Sequence, residues 1–226
     1  MSDWRLFADR RTLETALATE VATRLAQGIA QRGRGYLVVS GGSTPFQLFS
    51  LLSETDIDWA RVVVLLADER WVDVRHDDSN ERVIRTLLLR NRAAGAEFFS
   101  LVGELRNAHG NVLSISQSLL DMPRFDVVIL GMGEDAHTAS LFPCSEEITE
   151  GLETDQGALI IRPKTAPHQR ISLSKQRLQN TEYGALHIVG DRKRLVAEQA
   201  LNRHDHRAYP VSAFIGAGGF DCWWAP

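Results

Sequence analysis

Between Arg61 and Ala67 the sequence reads Arg-Val-Val-Val-Leu-Leu-Ala and is followed at once by Asp68-Glu69-Arg70. An unbroken apolar run of this length, rich in β-branched residues, is the pattern of a strand buried on both faces. A strand covered on both faces belongs to a mostly parallel sheet with helices packed on it. The rest of the chain repeats the theme. Tyr36 to Val39, Phe125 to Leu130 and Ala185 to Val189 read as further strands of this kind, and Ala158 to Arg162 and Arg170 to Leu173 as shorter ones. Val211 to Phe214 reads as a weak last strand. Between them lie helical segments. Leu13, Leu17, Val21 and Leu25 recur at helical spacing up to a stop at Gly33 to Gly35. Pro45 to Ser53, Asp77 to Arg90, Gly110 to Leu120 and Asp191 to Leu201 follow, while Pro143 to Gly157 reads as an irregular surface segment. The fold class is therefore α/β, and 226 residues without repeats suit one domain over 1–226.

Composition narrows the function classes. A net charge of -4 with 24% charged residues carries no basic footprint for nucleic acid or for an anionic membrane surface. The N-terminal stretch from Met1 to Phe7 has no apolar core of signal-peptide type, and Val62 to Ala67 is far too short to span a bilayer, so the expected compartment is the cytoplasm. Two cysteines, Cys144 and Cys222, make neither a metal motif nor a disulfide framework. The partner expected is a small molecule. An anionic one would need a few placed Arg and Lys.

In open parallel sheets ligands bind beyond the carboxyl ends of the strands, so the residues after each apolar run are the candidates. Ser40-Gly41-Gly42-Ser43-Thr44-Pro45 combines a flexible turn with a helix start that Thr44 can cap and Pro45 can open. Free N–H groups at such a start suit a phosphate; the same residues also suit a plain strand-to-helix turn. Asp68-Glu69-Arg70 places carboxylates for hydroxyl groups or water and a guanidinium for phosphate at the ligand edge, or else a local ion pair at the rim. Asp78-Ser79-Asn80 reads as a helix cap. Gly131-Met132-Gly133-Glu134-Asp135-Ala136-His137 opens with a glycine turn and brings in His137, the side-chain type best suited to act as a base near neutral pH, at the start of a short helix. Asp135 is close enough to orient the loop or the ring. Gly131-x-Gly133-x-x-Ala136 also fits a relaxed dinucleotide fingerprint, but the acidic stretch Glu150 to Asp155 that would complete it has no apolar strand leading into it. Arg170 opens a strand after a proline-bracketed connection. Asp191 suits an N-cap, and Lys193, in the first turn of a helix, runs against the dipole preference, which an adjacent anion would explain. Arg192 and Arg194 read as solvent-exposed.

Together these runs, in this order and over nearly the whole chain, resemble the 6-phosphogluconolactonase family, which is similar to the glucosamine-6-phosphate isomerase/deaminase group. The matching runs are Ser40 to Pro45, Asp68-Glu69-Arg70, Asp78-Ser79-Asn80, Leu130 to Pro143, Pro163-Lys164 through Arg170-Ile171-Ser172-Leu173, and Gly190 through Lys193. The resemblance implies a Rossmann-like three-layer α/β/α fold and hydrolysis of 6-phospho-D-glucono-1,5-lactone to 6-phosphogluconate, the hydrolytic step of the oxidative pentose phosphate pathway, without metal or organic cofactor. Carried over by position, it implies His137 as the base that activates water, with Asp135 beside it, and Asp68 close to the sugar ring. Arg70, Arg170, Lys193 and the turn Gly41, Gly42, Ser43 and Thr44 would hold the phosphate. Two departures stand out: Ala136 where the family usually has Gly, and Trp71. Phe142 occupies the position where the related deaminases carry a Glu that assists ring opening, and Arg70 stands where they usually have an aromatic, so the lactonase is favoured over the deaminase. A sugar-phosphate-binding module without catalysis is the alternative of a different class.

Overall fold

The computed structural model describes residues 3–103, 107–203 and 205–226, so the N-terminal stretch is seen from Asp3 onward, with Met1 and Ser2 outside the described residues. In chain order the elements are β1 (Trp4–Leu6), α1 (Arg10–Arg32), β2 (Gly35–Val39), α2 (Phe46–Ser53), β3 (Val62–Leu66), β4 (Asp68–Arg70), α3 (Asn80–Leu87) and β5 (Glu97–Phe99). Then come α4 (Ala108–Leu120), β6 (Phe125–Leu130), α5 (Ile148–Glu153), β7 (Ala158–Ile161), β8 (Arg170–Leu173), α6 (Lys175–Gln179), β9 (Thr181–Val189), α7 (Asp191–Arg203) and β10 (Asp221–Ala225).

Seven strands form one sheet in the order β1-β10-β9-β6-β2-β3-β5, with every pairing parallel. Helices flank it, and among the described residues none is long and apolar enough to cross a membrane. Helix α1 shows how sequence builds this layer. The Asp9 carboxylate caps it by accepting from Thr12 N at 2.8 Å, and Gly33, at φ +78, closes it by donating to the Ile29 carbonyl. Its Leu13, Leu17, Val21 and Leu25 stripe is wholly buried. The one acidic residue inside the apolar run of β6, Asp126, is buried but satisfied: its carboxylate accepts from Tyr36 N at 2.7 Å and pairs with Arg32.

The connections run outward in opposite directions from the centre of the sheet. From β2 the chain steps to β3 and β5; from β6 it steps to β9 and β10 on the other side. The carboxyl ends of β2 and β6 are thus the topological switch point, where such sheets bind ligands. A second, antiparallel sheet, β4-β8-β7, stands beside this edge and pairs Arg70 with Arg170 in register. The expected rim segment Asp68-Glu69-Arg70 is therefore itself a strand.

Several expectations are corrected. Val211 to Phe214 is not a strand: Pro210–Ala213 forms a 3-10 helix with Pro210 in its first turn, and the last strand is β10, where Trp223 and Trp224 are buried. The segment Pro143 to Gly157 is not wholly irregular, because Ile148 and Leu152 bury one face of α5. The stretch Glu150 to Asp155 thus lies on α5 and just before β7 rather than at the carboxyl end of a strand, which removes the dinucleotide reading.

Candidate active site

A cavity of about 260 Å³ opens at the switch point. Gly41, Gly42, Ser43, Thr44, Asp68, Arg70, His137, Arg170 and Lys193 all line it, so residues from five separated segments meet there. Asp135 stands behind His137 rather than in the wall.

The His137 side is built by the loop after β6. No helix follows the glycines; the segment is a series of turns, closed by Gly133 N donating to the His137 carbonyl at 3.0 Å. A Cβ on Gly133 would lie 2.3 Å from the His137 ring, so only glycine admits the ring there. Asp135 Oδ1 lies 2.5 Å from His137 Nδ1 and also accepts from His137 N at 3.2 Å. Burial pushes the Asp135 carboxyl up, but hydrogen bonding and charge attraction from His137 outweigh it and hold the carboxyl below its usual range. An ionised Asp135 accepting from Nδ1–H leaves Nε2 as the basic nitrogen. The ring stacks on Phe142 at 4.0 Å between centroids and 24° between planes.

The opposite side is cationic. Lys193 reaches Thr44 Oγ1 at 3.4 Å and, among the described residues, makes no ion pair. Burial lowers its pKa. Arg170 is buried, donates to the Pro167 carbonyl and lies 4.0 Å from Asp68 Oδ2. Burial lowers its pKa too, although Asp68 pulls the other way. Asp68 accepts from Ser140 Oγ at 2.5 Å. Thr44 does not cap α2: Pro45 holds the cap position without a side-chain bond, and Thr44 instead faces Lys193 and gives its carbonyl to Arg10 at 2.5 Å. Asp191 is likewise the first residue of α7 rather than its cap, the Gly190 carbonyl accepting from Arg194 N. Three cations against one carboxylate in the wall favour a dianion, in a chain whose net charge is -4.

Arg192 and Arg194 are surface residues, paired with Glu134 and Glu198, and Arg194 also covers the Trp224 ring. Glu69 turns away from the cavity: its carboxylate accepts from Arg70 N, Asn80 N, Glu81 N and Ser79 Oγ and so anchors the start of α3. Ser79 caps that helix as expected. Four residues of the site's surroundings were not foreseen as such. Asn80 lines the cavity and donates to the Asp68 carbonyl at 3.0 Å. Ser140 holds Asp68. His187, in the middle of β9, is buried and lines the cavity with Nε2 unpartnered, 3.7 Å from the wholly buried Glu14. The signals were a lone histidine in an apolar strand and an acid, Glu14, on the buried stripe of α1.

His187 carries a prediction. Burial, with Arg10 and Lys193 nearby, pushes its pKa down to about 3 from an ordinary 6.5. The unfolded chain then binds a proton below pH 6.5 that the folded chain refuses until about 3, so this residue contributes a loss of stability as pH falls through that interval. With no anion bound in the cavity, its contribution approaches about 1.4 kcal/mol per pH unit mid-interval. Chemical denaturation of wild type and His187→Asn between pH 7 and 5 should show a shallower decline in the variant; equal slopes would refute a neutral buried His187.

The model of the family described as "Glucosamine-6-phosphate isomerases/6-phosphogluconolactonase" matches residues 8–224. The chain belongs to this family. A 6-phosphogluconolactonase of Pseudomonas putida is 38% identical over 221 residues, covering 97% of this chain and 91% of its own. One from Rhizobium meliloti is 38% identical, covering 100% and 99%. The crystal structure of a 6-phosphogluconolactonase from Shewanella baltica OS155 superposes with a TM-score of 0.96 at 43% identity, covering 100% of this chain and 98% of that one.

Family membership sharpens the two departures. Ala136 does sit at positive φ, +63, the region in which a side chain costs about 1–2 kcal/mol. Its methyl is 1% exposed, however, and burying one such group returns about 0.8 kcal/mol, with a smaller backbone entropy loss than Gly. The terms nearly cancel, so this family loop accepts Ala without displacing His137 from Asp135. Phe142, in place of the deaminases' Glu, stacks on His137 and lies under the Arg170 guanidinium at 5.7 Å. Trp71 packs partly buried against the core and is not among the residues that line the cavity.

Proposed function

We propose that this chain is a 6-phosphogluconolactonase, a carboxylic ester hydrolase that converts 6-phospho-D-glucono-1,5-lactone to 6-phosphogluconate. The observation that carries the reading is the Asp135–His137 pair facing a cationic pocket in one cavity. The relatives named above support it, and so does Phe142, which has no proton to exchange where a deaminase needs an acid.

A lactone is an activated ester, and water can attack it without a covalent intermediate. His137 Nε2 takes the proton of the attacking water as the tetrahedral centre forms, Asp135 stabilises the imidazolium, and the imidazolium returns the proton to the ring oxygen as the bond from the carbonyl carbon to that oxygen breaks, which opens the ring. The negative charge that grows on the carbonyl oxygen needs a donor. In the Gly131 to Ala136 loop, Gly133 N and Ala136 N already serve the His137 and Gly133 carbonyls. Of the loop's four other N–H groups, those of Gly131 and Met132 belong to residues that line the cavity and can take this role. Arg70, Arg170, Lys193 and the Gly41 to Thr44 turn hold the phosphate, and their binding energy keeps the carbonyl in line with the water. A Cβ on Gly41 would come within 2.0 Å of Asn80 Oδ1, so this turn keeps its glycine for packing as much as for the ligand. Asp68, held by Ser140 and Asn80, lies where it can accept a sugar hydroxyl.

The test is direct. Purified protein should accelerate the disappearance of freshly generated lactone above its spontaneous rate and release no ammonia from glucosamine 6-phosphate. Ammonia release without lactone hydrolysis would assign the deaminase reaction instead, and tight binding of 6-phosphogluconate without turnover would leave a binding module.

A further inference from the structure

Outside the cavity, three potential metal ligands from two distant segments meet on the surface. His76 and Asp78 lie in the loop before α3, and His168 lies in the connection between β7 and β8. One donor atom from each falls within 4.8 Å of the others. His168 Nε2 is 2.8 Å from Asp78 Oδ2, and His76 Nδ1 is 3.9 Å from the same oxygen. The two imidazole rings meet edge to face at 5.3 Å. None of the three lines the cavity.

We propose that His76, Asp78 and His168 form a binding site for one divalent cation of the zinc class, completed by water. The donor set decides the class. Two imidazoles and one carboxylate suit Zn²⁺, Co²⁺ or Ni²⁺, whereas Mg²⁺ and Ca²⁺ take oxygen donors. Geometry supports it. Ligands about 2.0–2.2 Å from a tetrahedral ion lie about 3.3–3.6 Å from one another. The Asp78–His168 pair already lies inside that separation. The His76 and Asp78 side chains are 47% and 50% exposed and can close the short remaining distance without disturbing the core, His76 Nδ1 giving up the hydrogen bond it accepts from Asp78 N at 3.1 Å. The competing charges are engaged elsewhere: Asp73 holds Arg75, Asp77 holds Arg82, and Arg70 donates to the Asp78 backbone carbonyl rather than to its carboxylate. Without metal, the Asp78–His168 bond is a latch between two loops; with metal, the same atoms become ligands. The site stands whether or not the chain hydrolyses lactones.

The experiment titrates the full, metal-free chain with Co²⁺, followed by its visible d–d bands, and with Zn²⁺ by calorimetry. One ion per chain is expected. His76→Ala and His168→Ala should each weaken binding at least about tenfold, while His109→Ala, at an exposed histidine elsewhere, should not change it. A single cooperative melting transition without metal would show that the variants fold. No binding by wild type overturns the proposal. So does binding that survives in both ligand variants, or that is lost only with His137→Asn, which would move the ion to the cavity.

Discussion

His137→Asn is expected to lower kcat by about a hundred- to ten-thousand-fold and to leave KM nearly unchanged. The magnitude is the usual contribution of a positioned general base. The division between kcat and KM follows from where the base acts: it meets the water's proton in the transition state, whereas ground-state affinity comes from the cationic side of the cavity. Asn keeps a polar group of similar reach, and it can still meet Asp135 by a hydrogen bond, so the Gly131 to Ala136 loop should keep its turns. What it lacks is a basic ring nitrogen to take the water's proton. Asp135→Asn should give a smaller loss, because the ring remains but loses the carboxylate 2.5 Å from Nδ1 that fixes its tautomer and steadies the imidazolium. Steady-state kinetics on fresh lactone, corrected for spontaneous hydrolysis, separate the parameters. A His137→Asn protein with wild-type kcat would take His137 out of the chemistry and put Asp68 next in line, even though Asp68 is held by Ser140 and lies beside Arg170.

The parts of this architecture legible in the sequence are those with a local signature. The two-face burial of β3 and β6 shows in their apolar runs, and the strand-end rule then points to Gly41–Thr44, Asp68, Arg70 and His137 without any three-dimensional knowledge. The pairing of Arg170 with these is not local. It depends on the small antiparallel sheet that sets β8 beside β4, and three-residue strands such as β4 carry no periodicity to recognise. The same reason hid β1 and β5, each three residues long, at the two edges of the large sheet. His187 and Glu14 were hidden differently. Each sits on an element identified correctly, but a polar residue within an apolar pattern is normally read as an outward position, and only the packing of α1 on the sheet shows both facing inward. Asn80 and Glu69 exchange expected roles. The residue read as part of a cap lines the cavity, and the residue placed at the ligand edge secures a helix.

That exchange makes Glu69 the site of the largest expected stability change. Its side chain is buried, its two oxygens accept from three backbone N–H groups and one hydroxyl, and burial pushes its carboxyl up against the pull of those donors. Glu69→Ala would leave the N–H groups of Arg70, Asn80 and Glu81 without their acceptor, at roughly 1–3 kcal/mol for each that stays dry. Water can enter part of the space, so a total loss of about 3–5 kcal/mol is expected, in the range reserved for broken buried networks. Glu69→Gln keeps one accepting oxygen, and its amide faces Glu81 N or the Arg70 and Asn80 pair as donor against donor, so it should lose about 1–3 kcal/mol. Denaturant unfolding ranks the two, with Ala below Gln below wild type. Activity per folded molecule should fall less than His137→Asn lowers it, because Glu69 reaches the cavity only through Arg70 and Asn80. If Glu69→Ala keeps wild-type stability while turnover disappears, the carboxylate would belong to the chemistry and the assignment of Glu69 as a helix anchor would be lost.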